Sequence, residues 1–370
     1  MHSPAGPIED DESSDQSTDA LVRDADRSLR EIDGAEATLR DLARSAYNYR
    51  LVLNEQINSP LDSWFQDGIL VGDARTDNLL QADGSVSVEY ACATLYNLSR
   101  PITLLQVLRQ IVLRSVYRLL RSASVNFRQG DLLVSLVCYR GCIEQVGRMA
   151  LLEKRLRGLG EPIGFESNME FRFTALELLH KSLYATRVPW KDISSPELLM
   201  KALKKKELHY KPEDRRIDAG SETTMNGVDA LNKRVRGSRV VYEVLCDCAH
   251  PNFGTLLLLS RTTDVITDEH GVCWKSSSFL GNDSNVFLGD APWVTASTLD
   301  VVAKILNEFI NTLLPEVLGL EAKLQKCVQV CCREIIRRNP SLLGRYAKCP
   351  CNSGKVLRRC CGEGVKHSHK

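Results

Sequence analysis

The chain has 370 residues, with 48 Lys+Arg against 47 Asp+Glu, 13 cysteines and 6% aromatic residues. This balance excludes a uniformly basic nucleic-acid coat and a uniformly acidic disordered chain, and a 43% hydrophobic content fills one large core or two modest ones. No run approaches the roughly 18 apolar residues of a membrane span.

In chain order, residues 1–20 come first. They carry Glu9, Asp10, Asp11, Glu12, Asp15 and Asp19 with no Lys or Arg, the composition of a disordered acidic tail. This start has neither a secretory nor a transit pattern, so the expected location is the cytoplasm, where thiols stay reduced. The cysteines are then expected as buried apolar groups, metal ligands or nucleophiles rather than a disulfide framework.

A mainly α body is expected over 21–340. From Leu21 to Gln56, Leu29, Ile32, Ala35, Leu39, Leu42, Ala43 and Ala46 recur at helical spacing. Residues 59–88 are rich in turn formers and are expected to be irregular. Pro101 fits the first turn of a helix running to about Val125, and this helix contains the most apolar stretch, Ile102 to Leu120, broken by Arg109, Arg114 and Arg118. Gly130-Asp131 opens another helix that Gly158, Gly160 and Pro162 end. Further helices are expected from about Asn168 to Ala185 and from Val240 to His250. Residues 203–239 read as a helix end and then a loop or an exposed short helix. The alternation across 264–276 around a Gly turn predicts a small β-hairpin. Two helices, Ala296 to Leu314 and Glu316 to Arg338, close the body, and Asn339-Pro340-Ser341 is a plausible hinge. No repeat of fixed period is present.

Residues 321–370 carry twelve Lys/Arg against three acids. Within this basic end, residues 341–370 form a third region. It contains Cys349-Pro350-Cys351, a Ser353-Gly354 turn, and Cys360-Cys361-Gly362. Close thiol pairs separated by a short loop are what a tetrahedral zinc site requires. Four thiolates around Zn2+ leave a formal charge of minus two, which Lys348, Lys355, Arg358 and Arg359 offset. A segment this short cannot build a hydrophobic core, so its fold depends on the metal. His367 and His369 are alternative fourth ligands in place of Cys361.

The pattern C-x-C-x-S-G-K, then C-C-G, resembles the SEC-C motif. That motif is the zinc knuckle at the C-terminus of the SecA preprotein translocase ATPase, and it is appended to many unrelated bacterial proteins. Asn352 stands where glycine is frequent. The resemblance implies a bacterial protein with zinc on Cys349, Cys351, Cys360 and Cys361. It also implies docking to a protein or ribosome/RNA partner, since the SecA knuckle contacts the chaperone SecB and the ribosome; Lys355, Arg358 and Arg359 are the binding candidates. It covers only about residues 345–364, and no Walker-type loop precedes it.

Three weaker constellations lie in the body. Cys246, Cys248 and His250 invite a metal reading, but i and i+2 on a helix point about 200° apart, so only Cys246 and His250 share a face. A satisfied histidine at a helix end is the plainer reading; the functional one has Asp247, His250 and Asn252 lining a cleft. Arg140 and Glu144 lie one turn apart on an otherwise apolar helix, as a structural ion pair or as part of a site. With His250, they loosely resemble helical bacterial proteins with an R-x-x-x-E helix and a later H-P-N segment, distantly similar to HEPN-type ribonucleases. That similarity implies an enzyme with Arg140, Glu144 and His250 as catalytic residues: His250 as general acid/base and Arg140 stabilising phosphate charge. The sequence departs from the HEPN pattern, because no helix carries an Arg followed at the required spacing by His; Arg172 and His180 are eight apart.

The third constellation is basic. Arg109, Arg114, Arg118, Arg121 and Arg128, with no acid from 101 to 130, and Lys201, Lys204, Lys205 and Lys206 are either phosphate contacts or solvated faces. Cys92, Cys138, Cys142, Cys273, Cys327, Cys331 and Cys332 read as packing residues. Two functions follow: a zinc-knuckle docking protein whose helical body is scaffold or effector, or a helical ribonuclease targeted by the knuckle.

Overall fold

A computed structural model describes residues 12–45, 98–184, 200, 224–250, 260–267, 273–279, 292–338, 340, 349, 351 and 353–364. The fold is mainly α, with one β-hairpin. The chain divides into two compact units. The first comprises residues 1–46, 112–147 and 228–312; the second comprises 47–111, 148–227 and 313–370 and includes the cysteine-rich end. The expected irregular stretch 59–88, Asn252, Lys201, Lys204 to Lys206, His367 and His369 lie outside the described residues, as do Asn339 and Ser341 of the expected hinge.

In the first unit, α1 spans Glu12–Ser45 and buries Ala25, Ser28, Ile32, Leu39 and Ala43. These positions recur every three, four or seven residues, and the stripe packs along α7, Pro292–Glu308. Helix α1 therefore begins inside the segment expected to be disordered. Helices α2, Arg100–Arg128, and α3, Leu132–Arg157, each contribute residues to both units. In the first unit they approach closely: a Cβ added at Gly141 would lie 3.0 Å from Leu119 Cδ1, so glycine sets the spacing. Between them Gly130 takes φ 79°, and Asp131 then caps α3, accepting a 3.1 Å bond from the Val134 N–H.

Helices α5, Thr224–Asn232, and α6, Ser238–Cys248, follow. The Asn232 side chain ties them together by accepting from the N–H groups of Gly237 at 3.1 Å and Arg239 at 3.3 Å. The expected hairpin forms from β1, Ser260–Thr267, and β2, Cys273–Phe279. The strands pair antiparallel from Ser260↔Phe279 to Thr267↔Cys273, with an irregularity between Thr262 and Asp264.

In the second unit, α4, Gly164–Tyr184, packs on α8, Leu314–Arg338. The core face of α8 runs through Val317, Leu320, Leu324, Val328, Cys331, Cys332 and Ile335. Helices α7 and α8 are joined by a π-helical turn at Phe309–Leu313 rather than by a break. Pro315 explains it: proline has no N–H to give to the carbonyl four residues back, so the ladder widens there. Among the described residues no helix is long and apolar enough to cross a membrane.

Candidate metal centre

The cysteine-rich end is built from turns. The Cys349 N–H donates to the Lys355 carbonyl at 2.8 Å, closing a loop whose reversal falls on Gly354 at φ 73°. A 3-10 turn, Leu357–Arg359, then carries the chain into Cys360 and Cys361. Its start is pinned by two bonds to the Leu357 carbonyl, from Cys360 N–H at 3.1 Å and Gly362 N–H at 2.9 Å. Leu357 is fully buried and is the main apolar anchor of the segment.

These turns bring Cys349, Cys351, Cys360 and Cys361 together, with all four sulfurs within 4.8 Å of one another. Cys351 and Cys360 Sγ are 3.5 Å apart, and Cys360 and Cys361 Sγ 3.9 Å. A tetrahedron of zinc–sulfur bonds of about 2.3 Å has edges of about 3.8 Å, so the spacing fits a tetrahedral thiolate centre. Cys349, Cys351 and Cys361 are buried; Cys360 is half-exposed and shares a 3.2 Å hydrogen bond with Ser353 Oγ. The cluster can hold a metal ion. Lys355, Arg358 and Arg359 stand exposed around it.

One residue of the neighbourhood was missed in the sequence. Cys332 of α8, read there as a packing residue, is fully buried, and interaction with Cys349 first raises its pKa. Cys361 Sγ lies 3.9 Å from the Gln329 carbonyl on the same helix. No sequence signal marks this contact, because Gln329 precedes the motif by many residues. The thiol network is polarised. Hydrogen bonds from Cys332 first, then Cys351 and Cys361, hold the Cys349 pKa well below the ordinary thiol value. Cys361 is pushed up by its bonds to Cys332, Cys349 and Cys351. Sulfurs this crowded share protons when no cation is present and can all be thiolates only around one.

In the first unit, Arg140 Nε donates to Glu144 Oε1 at 3.1 Å, and both side chains are 29% exposed. Tyr242 of α6 joins them. Its hydroxyl donates to the same Glu144 oxygen at 2.9 Å, and the Arg140 guanidinium lies 5.7 Å from its ring centroid. Burial, then the bond to Glu144, raises the Tyr242 pKa. Cys246, one turn further along α6, raises it as well. His250 is exposed, two residues beyond the end of α6, with its backbone N–H on the Asp247 carbonyl at 3.2 Å. The structure thus assembles Arg140 and Glu144 around a tyrosine that the sequence reading did not include.

The basic row on α2 divides. Arg109 is drawn into a two-pronged pair with Glu321, at 2.6 and 3.4 Å, in the second unit. Arg128 pairs with Asp33 at 2.6 Å, and Arg114 is half-buried. Arg118 and Arg121 are exposed and have no ion-pair partner among the described residues. Arg121 lines a cleft of about 340 Å³ with Glu36, Arg40, Tyr117, Val125 and Arg128. Cys142 and Cys327 are buried and bond backbone carbonyls, of Val116 at 3.8 Å and Asn168 at 2.9 Å, as packing thiols do.

No family model, no curated protein and no solved structure matches the chain. The class that the geometry defines is a mainly α protein with a four-cysteine cluster able to hold a metal ion.

Proposed function

We propose that Cys349, Cys351, Cys360 and Cys361 hold one Zn2+ and that the resulting SEC-C-like knuckle docks a protein or ribonucleoprotein partner, the helical units serving as scaffold or effector. The observation carrying this reading is the enclosure of four sulfurs within 4.8 Å beneath three outward-facing cations. An all-sulfur, tetrahedral donor set favours zinc over the hard cations, which take oxygen. The metal is structural: with four protein ligands no position is left for a reacting water. Lys355, Arg358 and Arg359 present positive charge, which suits an acidic protein surface or a phosphate backbone. The cysteines of the described residues are all free, which supports the cytoplasmic reading.

Metal analysis of the purified chain tests the site, with about one zinc per chain expected. Capture of partners by the full-length protein, with and without a chelator, tests the docking. Partner recovery unchanged by metal removal would sink the docking reading.

The ribonuclease alternative rests on the half-buried Arg140–Glu144–Tyr242 cluster. Against it, Arg140 and Glu144 bond each other and Tyr242, as structural pairs do, and the cleft of about 340 Å³ is lined by other residues. Incubation with total RNA decides between them: cleavage abolished by His250→Ala would favour the enzyme.

A further inference from the structure

We propose that the cleft between α1 and α2 in the first unit binds a compact polyanion of the di- or triphosphate class. The site is independent of the metal centre, because its residues belong to the first unit and the cysteine cluster to the second. The cleft has a volume of about 340 Å³, within the range of small-molecule sites. Three guanidiniums line it: Arg40 from α1, and Arg121 and Arg128 from α2. On α2, Tyr117, Arg121 and Val125 follow at four-residue spacing, so one face of the helix supplies most of the lining. Arg121 has no ion-pair partner among the described residues, and Arg40 reaches only the exposed Asp41, at 3.7 Å. Arg128 is engaged by Asp33 at 2.6 Å. Tyr117 adds a half-buried aromatic side chain with one more hydrogen-bond donor. Glu36 is the one acid of the lining, so the cleft carries a surplus of positive charge. Arginines gathered in this way repel one another until an anion joins them, and their planar forks match phosphate oxygens two at a time.

The groove also sets the size of the ligand. An RNA strand needs positive charge along its whole path. Here the surplus stops at Arg128. That residue also lines a neighbouring cleft of about 210 Å³, where Asp26 and Asp33 balance Arg30 and Arg128. Positive charge confined to one concavity, with acids beside it, suits several phosphates held close together and opposes a backbone that runs on. Glu36 opposes any anion and limits the affinity.

Isothermal titration calorimetry of the full-length protein with inorganic tripolyphosphate tests this, with circular dichroism as the check on folding. About one ligand per chain is expected, with a Kd on the order of 10–100 µM at low salt. Arg121→Ala should weaken binding about 10-fold or more, and Arg40→Ala/Arg121→Ala further. Glu36→Gln should strengthen it a few-fold. Arg27→Ala removes an exposed cation of α1 that lines neither cleft, and should change the Kd by less than about twofold. Lys355→Glu/Arg358→Glu/Arg359→Glu should bind as the wild type does, which separates the cleft from the cations of the knuckle. Absence of saturable binding up to roughly 1 mM, or equal losses in Arg27→Ala and Arg121→Ala, would overturn the site. So would single-stranded RNA bound more tightly than tripolyphosphate and lost in Arg121→Ala, since the groove would then hold an extended backbone.

Discussion

The two clusters of functional-looking residues behave in opposite ways. In Arg140, Glu144 and Tyr242, donors meet an acceptor: a guanidinium and a hydroxyl both give to Glu144 Oε1. The set satisfies itself, and nothing further is required to hold it. At Cys349, Cys351, Cys360 and Cys361, four sulfurs face one another, and three are shielded from water. That set is one that a cation could complete. Convergence of polar side chains therefore does not by itself define a site; a surplus of one kind of group does.

The largest way to break the contrast is to remove the cation proposed for the cysteine cluster. Cys349→Ser/Cys351→Ser, or a strong chelator, should empty the centre and unfold the segment from Cys349 to Gly364, whose main apolar anchor is Leu357. Structural zinc supplies on the order of 10 kcal/mol of folding free energy to segments of this kind. Zinc content and limited proteolysis near residue 349 measure it, and the helical units should keep their circular dichroism.

A middle-sized effect belongs to the other cluster. Glu144→Ala leaves the Arg140 charge half-buried and the Tyr242 hydroxyl without an acceptor, and should cost about 1–3 kcal/mol in urea unfolding. Tyr242→Phe removes one donor only and should cost about 0.5–1.5 kcal/mol. If instead Tyr242→Phe abolished an RNA-cleaving activity at unchanged stability, the cluster would be a site after all. Reversing the outer cations of the knuckle, by Lys355→Glu/Arg358→Glu/Arg359→Glu, should abolish partner capture while zinc content stays at the wild-type level. Those side chains are exposed and none is a ligand.

What the sequence made legible follows from distance along the chain. The helices on α2, α3, α6 and α8, the hairpin and the four-cysteine set all come from spacings within a few turns, and each appears close to its expected place. The contacts that were not legible join residues far apart. Tyr242 meets Glu144 from another helix, and Arg109, expected as a possible phosphate contact, is neutralised by Glu321. The α8 face carried an ordinary apolar signature, and only the chain's return places Cys361 Sγ against its Gln329 carbonyl.

The smallest expected effect concerns the end of α8, the helix that bears Cys332. Glu334 accepts from Arg337 at 2.8 and 2.7 Å and from Arg338 Nε at 2.8 Å. Bonding to Arg337 first, then Arg338, lowers its pKa from 4.5 to about 2. A carboxylate held below its unfolded value stabilises the folded state fully above the unfolded pKa, and the contribution fades as pH falls toward the folded one. The window is therefore about pH 4.5 down to 2. Arg337, the first-ranked partner, is largely solvated, so the effect is modest and should shrink further in salt. Glu334→Gln should lower neutral-pH stability modestly, leave stability below about pH 2 nearly unchanged, and so flatten the loss in that window. The measurement is best made on metal-free Cys349→Ser/Cys351→Ser protein, because zinc is released in acid as the thiolates protonate and would mask a carboxylate titration. An unchanged acid limb in Glu334→Gln would show that the three side chains at the end of α8 are not paired in solution.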